Sequence, residues 1–350
     1  MNSEHPDKEQ KITEPKPEDP ATSPEVEVPE QDSKETTEPD DSFLLDSFDA
    51  DETDISLTHS RISSLRNFDF KKFPNLETLS FRQNLIFKIQ NLDSIPTLKE
   101  LDLYDNRLTK IENLTDLPSL ESLDLSFNNI KKIENVETLV SLNSIYFISN
   151  KIRQIVNLES LINLTVLELG DNKISKIDNI DKLVNLKELY LGKNRIKKIE
   201  NLDKLSDLKI LAIQSNYITK LENLEKLENL EELYISHNGI QTIEGLDKNK
   251  NLRVLDITKN RVSKLENLSH LSNLEEFWAS SNLFSSYAEV EAQLSKLENL
   301  ETVYFEDSPL QHHNPTQYRL KIKLALPQIK QIDASTHKVF SPQTFPTASS

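Results

Sequence analysis

The residues best equipped for chemistry in this 350-residue chain are its 58 Asp and Glu side chains and its eight tyrosines. The usual catalytic partners are scarce or scattered. There is no cysteine, so a thiolate nucleophile, a thiolate metal site and a disulfide are all excluded. The seven histidines, His5, His59, His237, His270, His312, His313 and His337, fall in no H-E-x-x-H or comparable ligand spacing. The four glycines, at 170, 192, 239 and 245, are too few and too dispersed for a phosphate cradle or a dinucleotide turn. No G-x-S-x-G elbow occurs. The expectation is a protein without enzymatic activity, cofactor or metal, whose chemistry is recognition by carboxylates and aromatic rings.

Those groups share a register. One position, recurring every 22 residues and once after 26, reads Ser80, Asp102, Asp124, Tyr146, Glu168, Tyr190, Ala212, Tyr234, Asp256, Trp278 and Tyr304. Five of these eleven are aromatic, including the only tryptophan, and four are acidic. The position two residues earlier adds Glu100, Glu188, Glu232 and Glu276. Exposed aromatic rings ringed by charge describe a protein-binding surface. Its acidic character favours a partner with a basic patch and disfavours nucleic acid, whose phosphates it would repel. A second register is basic, with Arg107, Lys110, Lys173, Lys176, Arg195, Lys198, Arg261 and Lys264 along one edge. These read as solvated, solubilising charges.

The elements that position these columns follow from ten asparagines spaced by 22 without a slip: Asn84, Asn106, Asn128, Asn150, Asn172, Asn194, Asn216, Asn238, Asn260 and Asn282. A fixed period of this length is the signature of a solenoid. The local frame, as in Leu101-Asp102-Leu103-Tyr104-Asp105-Asn106-Arg107-Leu108, is the leucine-rich-repeat pattern L-x-x-L-x-L-x-x-N-x-L. Its Leu-x-Leu is a short strand with the leucines turned inward and the intervening residue outward. A buried Asn has a donor and an acceptor with which to bridge the backbones of adjacent coils. The frame continues one coil outward at each end with Ser60 and Ser308 in the Asn place, which predicts about twelve coils from Ile55 to Leu310. The expected fold is an α/β leucine-rich-repeat solenoid with a concave parallel β-sheet. About ten residues remain for the convex return, so short 3₁₀ or one-turn helices are expected there. Its Ile-Glu-Asn-Leu segments, such as Ile111-Glu112-Asn113-Leu114, place an Asn to cap such a turn through backbone N–H groups. Beyond Leu310, the spacing Tyr318-Arg319, Ile322, Leu326-Pro327, Ile329, Ile332-Asp333 predicts a helix from about Pro315 to Leu326, then an extended segment. Together, residues 311–340 would cap the last coil's open apolar face.

Residues 1–54 are of different composition, with 19 Asp and Glu against four Lys, a net charge of −15, and seven of the 15 prolines. They are expected to be a disordered acidic tail, from which the run Phe43–Phe48 stands out as able to dock locally. A second disordered tail is expected at 341–350. The N-terminal residues lack the basic and apolar regions of a signal peptide, and no apolar run approaches the ~18 residues of a membrane span. A soluble intracellular protein, monomeric when free and not membrane-bound, is expected. The acidic tail also fits a different class of function, an acidic-tailed leucine-rich-repeat chaperone or adaptor for basic nuclear proteins.

The 22-residue unit with Ile-Glu-Asn-Leu, the coil number, the cap Tyr318-Arg319…Leu326-Pro327…Ile332-Asp333 and Glu276-x-Trp278 resemble one family. It is the leucine-rich-repeat regulatory subunits of type-1 protein phosphatase, the Sds22 family. The resemblance runs from residue 55 to about 340. It implies a non-catalytic subunit whose concave face grips the phosphatase catalytic subunit, controlling its activity, maturation and nuclear pool. It also implies a ternary complex with a small disordered inhibitor subunit, a nuclear and cytoplasmic location, and a tie to mitosis and chromosome segregation. The matching contact positions are Asp124, Tyr146, Glu168, Tyr190, Asp256, Glu276, Trp278 and Tyr304, with Asp102 and Tyr234 as secondary candidates. Tyr146 and Tyr190 stand where other members of the family carry Phe. No Arg/Lys-Val-x-Phe docking tetrapeptide occurs, since Lys338-Val339-Phe340-Ser341 and Arg261-Val262-Ser263-Lys264 both depart from it. That absence agrees with docking through the curved surface.

Overall fold

The computed structural model describes residues 40–334. Each repeat yields a three-residue strand, because only its Leu-x-Leu core alternates before the chain must turn. The first seven strands are β1 (Asp54–Ser56), β2 (Thr78–Ser80), β3 (Glu100–Asp102), β4 (Ser122–Asp124), β5 (Ser144–Tyr146), β6 (Val166–Glu168) and β7 (Glu188–Tyr190). Then follow β8 (Ile210–Ala212), β9 (Glu232–Tyr234), β10 (Val254–Asp256), β11 (Glu276–Trp278), β12 (Thr302–Tyr304) and β13 (Gln331–Ile332). They form one parallel sheet in sequence order. Pairing is residue for residue, as in Asp102↔Asp124 and Asp124↔Tyr146, so each 22-residue column becomes a straight stripe on the sheet.

The asparagine ladder bridges coils as expected. Asn172 accepts from Ile152 N–H at 3.0 Å and donates to Phe147 O of the preceding coil at 2.9 Å. It also reaches Leu169 O and Gly170 O of its own coil, both at 3.1 Å. Each rung thus satisfies backbone groups that the narrow coil would otherwise bury unpaired. Of the two serines that extend the frame, Ser308 is buried with its Oγ donating to Phe305 O, whereas Ser60 bonds only Thr58 O at the surface.

The convex asparagines correct the sequence reading. Asn113, Asn135, Asn157, Asn179, Asn201, Asn223 and Asn267 do not cap a turn by accepting from N–H groups. They adopt positive φ, near 60°, and donate Nδ2 to the carbonyl 24 residues upstream, as in Asn113 to Ile89 O at 2.6 Å. Asn tolerates this left-handed conformation better than other residues with a Cβ. The row is a second ladder, interrupted at Gly245, where φ is +71° and a Cβ would lie 2.9 Å from Leu221 O.

In the regular coils the convex return is a pair of isolated i→i+3 turns, such as Leu117 N–H to Leu114 O and Leu120 N–H to Leu117 O. Ten residues are too few to add a helix there. A helix, α1 (Tyr287–Leu294), forms where the repeat lengthens to 26 residues, and the Ser286 hydroxyl caps it by accepting from Glu289 N–H at 3.2 Å. Leucine and isoleucine fill the interior, with aromatic clusters at the two ends: Phe68, Phe70 and Phe81 at one, Phe277, Phe284 and Phe305 at the other.

At the N-terminal end, composition assigns residues 40–54 to the acidic tail. They instead carry a 3₁₀ turn at Ser42–Ser47 and the start of β1, and Leu45 is 2% exposed against the first coil. The folded unit therefore begins upstream of residue 55. Residues 1–39 and 335–350, including the expected tail at 341–350, lie outside the described residues. At the other end, α2 (Pro309–His312) and α3 (Tyr318–Ala325) lead into β13. Asp333 fixes this cap by accepting from Phe305 N–H at 2.9 Å, Glu306 N–H at 3.1 Å and Tyr318 OH at 3.1 Å.

Candidate partner-binding face

The sheet register carries every residue singled out in the recurring column onto one concave face. Asp102 and Asp124 occupy the N-terminal part of that face, Tyr146, Glu168 and Tyr190 its middle, and Tyr234, Asp256, Trp278 and Tyr304 its C-terminal part. From β4 to β12 the face runs roughly 40 Å, at ~4.8 Å per strand. The groups do not converge on a common point, so the arrangement suits a macromolecular surface rather than a small ligand.

The acids are held by backbone as well as displayed. Asp102, Asp124, Glu168 and Asp256 each accept from the N–H two residues on, at 3.0, 2.8, 2.6 and 2.9 Å. In each case the carboxylate takes up an N–H left over as the strand ends. Glu168 is only 8% exposed, and burial pushes its carboxyl up to about 8. Gly170 allows this placement, because a Cβ there would lie 2.8 Å from Glu168 Oε1. Burial likewise raises Asp124 to about 6, although the Arg82 guanidinium lies 3.6 Å away, and it raises Asp256.

The aromatic residues are held by the second acidic column. Tyr190 OH donates to Glu188 at 2.7 Å, Tyr234 OH to Glu232 at 2.7 Å, and Trp278 Nε1–H to Glu276 at 2.8 Å. Burial, then the neighbouring glutamate, raises the phenol of Tyr190 and of Tyr234. Glu276 is thus a positioning group for the tryptophan ring. Tyr234, Trp278 and Tyr304 form a continuous cluster, with ring centroids 6.0 and 5.9 Å apart, and the first pair spans Asp256 on the intervening strand. Half-buried and braced, these rings lose little side-chain freedom on contact.

Sequence reasoning missed a second group on this face. The Arg82 guanidinium stacks 3.9 Å from the Tyr104 ring centre and pairs with Asp102 at 2.9 Å. Phe127, 41% exposed, packs its ring 4.8 Å from that of Tyr104. These residues follow the strand in the stretch read as turn. The signal available was two aromatics at positions where other coils carry small or polar residues, such as Ser126, Gly170, Ser149 and Ser215. Among the described residues no group of three or more His, Cys, Asp or Glu is arranged to hold a metal ion, and no helix is long and apolar enough to cross a membrane.

A parallel sheet of one strand per coil, an asparagine ladder and turn-only convex returns define a leucine-rich-repeat solenoid. The family model for leucine-rich repeats in two copies matches residues 96–139, 184–226 and 228–270. Among solved structures, an internalin from Listeria monocytogenes superposes with a TM-score of 0.66 at 21% identity, covering 81% of this chain and 87% of that one. A leucine-rich-repeat protein of Leptospira interrogans gives 0.68 at 27% identity, over 76% of this chain and 68% of that one. Among relatives, protein phosphatase 1 regulatory subunit SDS22 of Schizosaccharomyces pombe is 56% identical over 55 residues, 16% of this chain and 17% of that protein, so the match spans about a sixth of the relative's length. Over that stretch the chain is similar to SDS22, and the solenoid fold is common to the solved structures above.

Proposed function

We propose that this protein is a non-catalytic regulatory subunit that binds the type-1 serine/threonine protein phosphatase catalytic subunit through its concave face. In doing so it would control that subunit's activity, maturation and nuclear pool. The observation that carries this reading is the braced cluster Tyr234–Trp278–Tyr304 beside Glu276 and Asp256 on a face otherwise lined with carboxylates. The match to a phosphatase regulatory subunit supports the choice of partner. Asp124, Tyr146, Glu168 and Tyr190 extend the contact toward the N-terminal coils. A ternary complex with a small inhibitor subunit, and residence in both nucleus and cytoplasm, belong to the same reading.

The test is binding of the purified catalytic subunit to the full chain and to the variant Trp278→Ala with Glu276→Ala, with circular dichroism as the check on folding. Removing a central aromatic anchor and its brace is expected to weaken the complex by about 3 kcal/mol, roughly a hundredfold. Unchanged affinity in a folded variant would remove these residues from the contact. A histone serves as the basic-protein control. Equal affinity for histone and phosphatase would favour the chaperone reading instead.

A further inference from the structure

The edge of the solenoid that follows the asparagine ladder carries a run of cations without nearby carboxylates. Three successive coils present Lys151-Ile152-Arg153-Gln154, Lys173-Ile174-Ser175-Lys176 and Arg195-Ile196-Lys197-Lys198, in which the isoleucines are buried and no acid occurs. Lys151, Arg153, Lys173, Arg195, Lys197 and Lys198 have no carboxylate of the described residues within 4.0 Å, whereas Lys176 pairs with Asp178 at 2.7 Å. On the opposite edge most cations are paired, Lys187 excepted. There Lys99 meets Glu77 at 2.8 Å, Lys209 meets Glu231 at 2.7 Å and Arg253 meets Glu275 at 2.8 Å. A surface that only needed solubility would be served equally well by paired charges of both signs. Concentrating six unpaired cations on stacked coils incurs mutual repulsion that an anionic partner would relieve.

The borders of the strip decide what kind of anion it fits. Beyond the basic positions runs an acidic row, Glu134, Asp178 and Glu200, broken only by the half-buried Val156 beside Lys151 and Arg153. The basic strip is therefore about 10 Å across, at ~3.3 Å per residue, and it continues at lower charge density through Lys131 and Lys132 to Arg107 and Lys110. A nucleic-acid duplex, with a phosphate every ~1.7 Å of its axis, would overlap the acidic row and be repelled. A single strand needs aromatic rings on which to stack its bases, and these three tetrapeptides carry none. An extended acidic polypeptide is narrow enough to lie within the strip. We infer that this edge is a docking surface for an acidic, extended segment of a partner protein, separate from the concave face and of opposite charge preference. The inference does not depend on the identity of the concave-face ligand.

The experiment is fluorescence anisotropy of a labelled peptide of alternating Glu and Ser, titrated with the full chain at fixed low salt. Saturable binding is expected, weakened at least about tenfold by Lys151→Glu, Arg153→Glu and Arg195→Glu together. The corresponding alanine variant should lose less, and circular dichroism should remain unchanged in both. Trp278→Ala on the concave face and Lys99→Glu on the opposite edge should leave peptide affinity within about a factor of two. Binding that survives the triple reversal overturns the inference. So does tighter binding of an oligothymidylate of equal charge, which would make the edge a nucleic-acid surface. Salt-sensitive self-association abolished by the same reversal would make a second copy of the chain the occupant, and would overturn it equally.

Discussion

Glu168 sits on the concave face with its carboxyl raised by burial from the ordinary 4.5 to about 8. A carboxyl whose folded value exceeds its unfolded one holds its proton in the native state while the unfolded chain has already released it. Its stabilising contribution is full below 4.5 and is lost as the pH climbs through about 8. Urea denaturation across that window should show stability falling with pH, and Glu168→Gln should flatten the fall. A cationic partner selects the ionised form, so its affinity should rise with pH over the same range in the parent and not in Glu168→Gln. The ladder makes a second prediction at this scale. Asn172→Ala leaves Ile152 N–H and Phe147 O without their partner. The cost should be about 3 kcal/mol, read as a lower urea midpoint. That Asn172 bridges coils was legible from its spacing alone. The role of Asn113 was not, because its donor and its acceptor carbonyl lie 24 residues apart and its positive φ leaves no trace in composition. The strand column could be read by adding 22, which found Trp278 but passed over Arg82, Tyr104 and Phe127, where the aromatic character is confined to two coils.

The cap pairs β13 with β12 and buries Tyr318, Ile322 and Leu326, and one side chain pins its end. Asp333 is 3% exposed and accepts from two backbone N–H groups and a buried phenol, with the Arg319 guanidinium 3.8 Å away. Through it β13 is tied to the residues after β12 and to the first turn of α3. Asp333→Ala should free the cap and expose the aromatic cluster at that end. Hydrogen exchange should then lose protection across 298–333 while the coils of residues 100–200 keep theirs, because each coil touches only its neighbours. Apolar spacing foretold this helix, although α3 is shorter than expected at Tyr318–Ala325. At the other end composition misled. The acidity of residues 40–54 resembles that of the tail, yet the run Phe43–Phe48 that stands out from it docks, with Leu45 buried and Leu44 and Phe48 packed beside it.

Across the whole molecule, recognition by a rigid stripe depends on the distance between its parts. Duplicating one regular coil, residues 195–216, adds a rung with the same bonds as its neighbours and should preserve stability. It would also move Trp278 one strand spacing, ~4.8 Å, further from Asp124. If one rigid partner spans the face, affinity should fall about as far as on removing the Trp278 anchor, with an unchanged far-ultraviolet spectrum. If the two halves bind separately, affinity should persist. This regularity of period also exposes one place where the array can age. Of the ten rungs, Asn238 alone is followed by glycine, and it is also the least buried, since Gly239 brings no side chain to cover it. Without a Cβ on the following residue, the next backbone nitrogen has the freest approach to the asparagine amide, the route by which the amide hydrolyses to acid. A carboxylate in that place would face the carbonyls of Ile213, Ile235 and Ser236, which now receive Nδ2 at 3.1–3.2 Å. Slow chemical wear would therefore begin between β8 and β9, at the coil boundary just ahead of Tyr234.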